Sequence, residues 1–161
     1  MLLYRKRKNI DDVRYILEHL REEDKHEAYS VYGDDYIERC LSGIMNSRDY
    51  FVLGCKVDDD TPVVMGGISE TDEDGVGVVW LLSTPEIVNF KTTLFRNLIV
   101  EMREIDRRFF ITYNCLYKEN DFAKNYLQKL GYNFDIPKPV GLNVPDDFVF
   151  FYRKRQMRGL S

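Results

Sequence analysis

The chain has 161 residues, 44% apolar and 31% charged, with 27 acidic against 23 basic side chains and a formal net charge of −4. That length supports one hydrophobic core and no second full-sized domain, and the acidic balance argues against a duplex nucleic-acid binder, whose footprint is strongly basic. No apolar run approaches the roughly 20 residues of a membrane-spanning helix; charge follows a very short apolar tip at the N-terminus, the reverse of a secretory signal; and an aromatic share of 14% excludes simple disorder.

Leu2 to Lys8 alternates weakly and is short enough for a strand. Asp11 and Asp12 then open a helix, their charges complementing its macrodipole, and Val13, Ile16, Leu17 and Leu20 keep helical spacing. The charged run Arg21 to Glu27 is expected to be the solvated end of that helix and the turn after it. Gly33-Asp34-Asp35 begins a second helix with Tyr36, Ile37, Cys40, Leu41 and Ile44 as its buried stripe. Strands follow at Tyr50 to Val57 and Pro62 to Ser69, closed by the acidic turns Asp58 to Asp60 and Glu70 to Gly75. Those turns read as solvated hairpin loops rather than a cation site.

Val76 to Leu82 is almost wholly apolar, as in a central strand covered on both faces. Ser83-Thr84-Pro85-Glu86 reads as a helix start, with a hydroxyl cap, Pro in the first turn and Glu three residues after Ser83. The helix that follows places Leu94, Leu98, Ile99, Met102 and Ile105 on one side and Arg96, Glu101, Arg103 and Glu104 on the other. Phe109 to Cys115 is a strand, and Asp121 to Leu130 a helix stopped by Gly131. Tyr132 to Ile136 and Phe148 to Tyr152 are the last strands, around a loop with Pro137, Pro139, Gly141 and Pro145.

The order is therefore β-α-α-β-β-β-α-β-α-β-β. It predicts an α/β (α+β) domain with a mixed sheet of about seven strands and helices on both faces. The domain covers residues 1–152, with 153–161 a basic C-terminal tail. Three scattered cysteines, Cys40, Cys55 and Cys115, give no disulfide framework and fit a reducing compartment. The basic ends, Arg5 to Lys8 and Arg153 to Arg155 with Arg158, make one positive patch if the first and last strands lie on the same side; otherwise they are solvated termini.

This order resembles the GNAT acyltransferase superfamily. The run Asn120, Ala123, Tyr126, Leu127, Leu130-Gly131-Tyr132 is similar to that superfamily's late motif, an Asn, then Ala, an aromatic-bearing helix and Leu-Gly-Phe. Trp80 to Pro85 running into a helix without a glycine loop, and Pro137-Lys138-Pro139-Val140-Gly141 before the Phe-rich strand Phe148 to Phe151, resemble a bacteriophage branch of GNAT-like proteins. Members of that branch are virion, internal or assembly proteins, or acetyltransferases. The likeness spans roughly residues 50–152.

The resemblance implies acetyl-CoA held by its pyrophosphate against bare N–H groups at the helix after the fourth strand. Glycines belong there, yet none lies between Gly77 and Gly131. The candidate cofactor contacts are Leu81, Leu82 and Ser83 on the fourth strand, and Lys91, Thr92 and Thr93 as charge and hydroxyl donors at the helix start. Asn114 and Asn120, at and after the fifth strand, complete the set. For the acid that protonates the departing thiolate, the superfamily's tyrosine position holds Leu127. Tyr126 lies one residue earlier, about 100° around the helix. Tyr126 and Tyr117 are the catalytic candidates, with Tyr113 a further substitute; Glu70, Asp72 and Glu119 are reachable bases that no spacing singles out.

Other chemistry fares worse. His19 and His26 are the only histidines and lie away from the cysteines, so neither a Cys-His pair nor a zinc site is implied, and no metal is expected. Ser83 lacks the Gly-x-Ser-x-Gly elbow. Two functions stay open. One is a GNAT-like fold serving as a virion or assembly component through protein binding, self-assembly included, without a cofactor. The other is an acetyl-CoA-dependent N-acetyltransferase acting on a small amine or a protein amino group. The missing glycine turn and the displaced tyrosine favour the first. Neither membrane nor nucleic acid is an expected partner, and the expected location is the cytoplasm of a host cell, with incorporation into the virion.

Overall fold

The computed structural model describes residues 1–156. Its strands are β1 (Leu2–Arg5), β2 (Tyr50–Lys56), β3 (Pro62–Glu70), β4 (Val76–Ser83), β5 (Ile111–Tyr117) and β6 (Phe148–Lys154). Its helices are α1 (Ile10–Glu18), α2 (Glu22–Tyr32), α3 (Tyr36–Asn46), α4 (Lys91–Arg108) and α5 (Asp121–Lys129). The strands form one sheet in sequence order, antiparallel everywhere except between β4 and β5.

Helical periodicity builds the two covering layers. Asn9 caps α1 by accepting from the Asp11 and Asp12 amides, and Val13, Ile16 and Leu17 point inward. With Leu41 of α3 they pack on Phe51, Leu53 and Met65 of β2 and β3. On the other face Met102 and Ile105 of α4 and Leu127 of α5 meet Ile68, Leu116 and Phe151. Alternation along β4 sends Trp80 and Leu82 to the α1–α3 layer, and Val79 and Leu81 to the α4–α5 layer.

Five expectations change. Arg21 to Glu27 is no solvated turn: Glu22, Glu23 and Asp24 open α2, and Arg21 and Asp24 are buried. Tyr132 to Ile136 is no strand, so the sheet has six strands rather than about seven. Only Asn133 bridges to Tyr152, because Pro137 and Pro139 interrupt any ladder that follows. Ser83 to Glu86 starts no α-helix; Pro85–Phe90 is a 3-10 turn, and α4 begins at Lys91. The basic ends form no common patch, since β1 and β6 lie at opposite edges of the sheet. Arg5 pairs with Asp60, Lys6 with Glu101 and Arg153 with Asp106. β6 runs to Lys154, two residues into the expected tail, and Arg158 lies outside the described residues.

Gly67 in β3 is required by a close approach. A Cβ there would sit 2.3 Å from the Tyr50 carbonyl oxygen and 2.8 Å from the Trp80 ring. Gly67→Ala is expected to cost about 1–3 kcal/mol or more, because a backbone atom cannot give way as a side chain can. Urea denaturation of the variant measures this, and a change within about 0.5 kcal/mol would contradict it.

Candidate functional site

β4 and β5 pair only through Val76–Val78 against Ile111–Tyr113, and then diverge. The amide of Thr84 donates to Val63 of β3, and that of Lys118 to Asp147 ahead of β6. By alternation Val79, Leu81 and Ser83 on one side, and Cys115 and Tyr117 on the other, turn their main-chain groups into the gap. The resulting wedge explains why β4, though central, is only half-buried from Val78 to Leu82. A cavity of about 460 Å³ opens here, lined among others by Glu27, Leu81, Leu82, Asn114, Asn120 and Tyr126.

Side chains bridge the wedge at both ends. At its closed end Asn114 Nδ2 donates to the Val79 carbonyl at 2.8 Å, while Asn114 Oδ1 accepts from the Cys115 amide at 2.7 Å. At its mouth stands α2. The Ser83 amide and hydroxyl both donate to Asp24 Oδ2, at 3.0 and 3.1 Å, and the Arg21 amide donates to the Ser83 carbonyl at 3.0 Å. Arg21 reaches Asp24 through Nε and Nη2 and donates from Nη2 to Asn120 Oδ1 at 3.0 Å. Glu27 Oε1 accepts from the Tyr117 amide at 2.9 Å and from Asn120 Nδ2 at 3.0 Å. Asn120 also caps α5 by accepting from the Ala123 amide. On β4 it is Leu81, between the two bridges, whose main-chain groups face the cavity.

The electrostatics follow from burial. Desolvation pushes Asp24 above the usual carboxylate range, but Arg21 and both Ser83 donors oppose it. Every neighbour bonded to Asp24 is a donor, so the carboxylate is held ionised. Glu27 has fewer donors; burial lifts its pKa to about 7, against the pull of Asn120 and the Tyr117 amide. Burial also drives the Tyr126 phenol far up, helped by the nearby Asp24 and Glu27 charges, so it is protonated at all ordinary pH values.

The expected site residues divide. Leu81, Leu82, Asn114, Asn120 and Tyr126 meet at the cavity. Ser83 belongs to the bridge at the mouth. Tyr117 contributes its amide, while its ring lies tilted by 40° against His26 at 4.1 Å and its hydroxyl donates to Glu119 outside the cavity. Lys91 and Thr92 stand exposed in the first turn of α4, with Thr93 half-buried, and none of the three lines the cavity. Tyr113 and the base candidates Glu70, Asp72 and Glu119 also lie elsewhere. Leu127, at the position the resemblance gives to the acid, is buried in the core and also borders the cavity, and Tyr126 borders it beside the Phe122 ring. Among the described residues no group of three metal-ligating side chains exists, and no helix is long and apolar enough to cross a membrane.

Arg21, Asp24 and Glu27 were not among the expected site residues. Their three-residue spacing puts them along one side of a helix, with Ala28 as the small apolar contact. That spacing was the available signal.

Solved structures that align with this chain include acetyltransferases. The aminoglycoside 6'-acetyltransferase type Ii aligns with a TM-score of 0.69 at 18% identity, over 99% of each chain. The ribosomal-protein-S18-alanine N-acetyltransferase from Escherichia coli gives 0.65 at 10% identity, over 100% of this chain and 98% of that one. A GNAT-family acetyltransferase from Streptococcus pneumoniae gives 0.65 at 13%, over 97% and 100%. The fold is that of the GNAT acetyltransferases. No protein-family model and no curated protein matches the chain, so at these identities the likeness speaks for the fold alone.

A GNAT cofactor needs a bare main-chain cradle where β4 hands over to α4, and the stretch ahead of α4 has no glycine and few free amides. The Ser83 amide donates to Asp24, the Thr84 amide to Val63, Pro85 has none, and the Ile87 amide donates to Thr84. Asn89 to Thr93 all carry side chains in place of glycine. Asn120, the late-motif asparagine, is buried and committed to Arg21 and Glu27.

Proposed function

We propose that this chain uses the GNAT fold as a protein-binding scaffold without acyl transfer, in the virion or assembly setting of a host cell that its sequence resemblance implies. The carrying observation is the bridged mouth of the wedge: α2 supplies from within the chain the hydrogen bonds that a thioester cofactor would have to make with Ser83 and Asn120. A ligand entering there would have to break a buried ion pair first, which costs more than a new contact returns.

A second reading, an acetyl-CoA-dependent N-acetyltransferase on an amine, is supported by three features. Tyr126 is a protonated phenol at the cavity, Glu27 titrates near neutrality, and α4 begins without a side-chain cap beside the exposed Lys91. Calorimetry with acetyl-CoA separates the two. The scaffold reading expects no heat of binding up to about 1 mM ligand, and a dissociation constant of about 10 μM would overturn it.

A further inference from the structure

The two helical layers carry opposite charge. Residues 10–46, the α1–α3 layer, hold ten Asp and Glu against four Lys and Arg; α4 and α5 together hold seven Lys and Arg against four Asp and Glu. Each layer also leaves apolar side chains uncovered. On α4, Ile99 is 40% and Val100 55% exposed, flanked one turn to either side by the exposed Arg96 and Arg103. Neither arginine forms a salt bridge among the described residues, whereas Arg107 is paired with Glu104. On the opposite layer a shallow groove runs between the end of α2 and the outer side of α3, lined by Tyr32, Asp35, Glu38, Arg39, Ser42 and Gly43. Gly43 makes the groove: a Cβ there would meet nothing within 4 Å.

We propose that these two surfaces bind each other between copies of this chain, the Ile99–Val100 ridge of one molecule seating in the Tyr32–Gly43 groove of the next, with Arg96 and Arg103 facing Asp35 and Glu38. The ridge is aliphatic between two cations. The groove has an aromatic wall, a floor without a side chain and two carboxylates on its rim; Glu38 is partnered by Arg14, Arg39 is turned to the Tyr32 carbonyl, and Asp35 makes no salt bridge among the described residues. The surfaces lie on opposite faces of the sheet, so the contact is head-to-tail and propagates or closes as a ring rather than stopping at a two-fold dimer. This rests on the scaffold reading and names its partner as a second copy. Acetyl-CoA calorimetry tests that reading by itself, and the experiment below does not depend on it.

The test is sedimentation velocity of the full chain at about 0.2 mM in about 50 mM and about 0.5 M salt, where charge pairing is weakened by screening. Species larger than a dimer are expected at low salt and are expected to shrink at high salt. Gly43→Leu starts from a Cβ with nothing within 4 Å and obstructs the groove, and Val100→Asp spoils the ridge on an exposed helix position; each alone is expected to be monomeric, with the Gly43→Leu chain unfolding at no lower temperature than the wild type because leucine favours the helix. Mixed in equal amounts, the two variants retain one good groove and one good ridge, so a species of twice the chain's mass and no larger is expected. A wild-type chain that stays monomeric at low salt overturns the proposal. So does a dimer that survives either substitution, or a mixture that stays monomeric.

Discussion

Replacing Arg21 with alanine is expected to lower the folding free energy by about 3–5 kcal/mol. The change leaves Asp24, 2% exposed, with a buried carboxylate and only the Ser83 donors to satisfy it. It also strips Asn120 Oδ1 of its arginine partner and removes the cation stacked 4.8 Å from the Phe122 ring. Lysine is no remedy, because one ammonium cannot reproduce the fork that spans Asp24 and Asn120. Urea denaturation at neutral pH measures the loss. A value under about 1 kcal/mol would mean that water reaches Asp24, and the account of the wedge as closed at its mouth would fail.

Glu27→Gln is expected to act with the opposite sign and only at the upper end of the pH range. In the folded chain Glu27 titrates at about 7, against 4.5 for an unperturbed glutamate. A raised carboxyl pKa means that folding favours the protonated form. The associated stability is whole below pH 4.5 and is lost as pH rises through about 7. Glutamine keeps an oxygen to accept from Tyr117 and Asn120 and never ionises. The variant is therefore expected to match the wild type near pH 4.5 and to exceed it by roughly 3 kcal/mol at pH 8. Denaturation curves across that window check it, and a difference that does not grow with pH would show Glu27 to be well solvated.

Much of the fold was legible because it rests on apolar periodicity. Val13, Ile16 and Leu17 spell α1, and Leu94, Met102 and Ile105 spell α4. The apolar runs of β2 to β4 between acidic turns, and the Gly131 stop after α5, with φ +93°, were equally direct. The segment that failed is the one whose buried side is polar. α2 turns Asp24 and Glu27 inward, so its sequence has the composition of a surface and none of the apolar period of a core helix. The missing seventh strand failed for a different reason: Tyr132 and Phe134 do face the core, but one bridge at Asn133 is all the pairing they have.

The site was half legible for the same cause. Asn120 and Tyr126 were found through a motif, and they do meet at the cavity. Their partners Arg21 and Glu27 lie 99 and 93 residues from Asn120 in sequence, where no local spacing can point. Tyr126 was also placed by register alone. Both Tyr126 and Leu127, about 100° apart on the helix, border the cavity, and only Tyr126 brings a hydroxyl there.

The sheet is two ladders meeting along a seam. β1 to β4 form one antiparallel block, β5 and β6 form a second pair, and only three residue pairs join the two blocks directly. Past Tyr113 the stitching is side-chain work, so the seam is a hinge whose stiffness is set by a handful of polar groups rather than by the backbone. The amide protons of Ser83 and Tyr117, on strand edges without a neighbouring strand, then report how often the two blocks part.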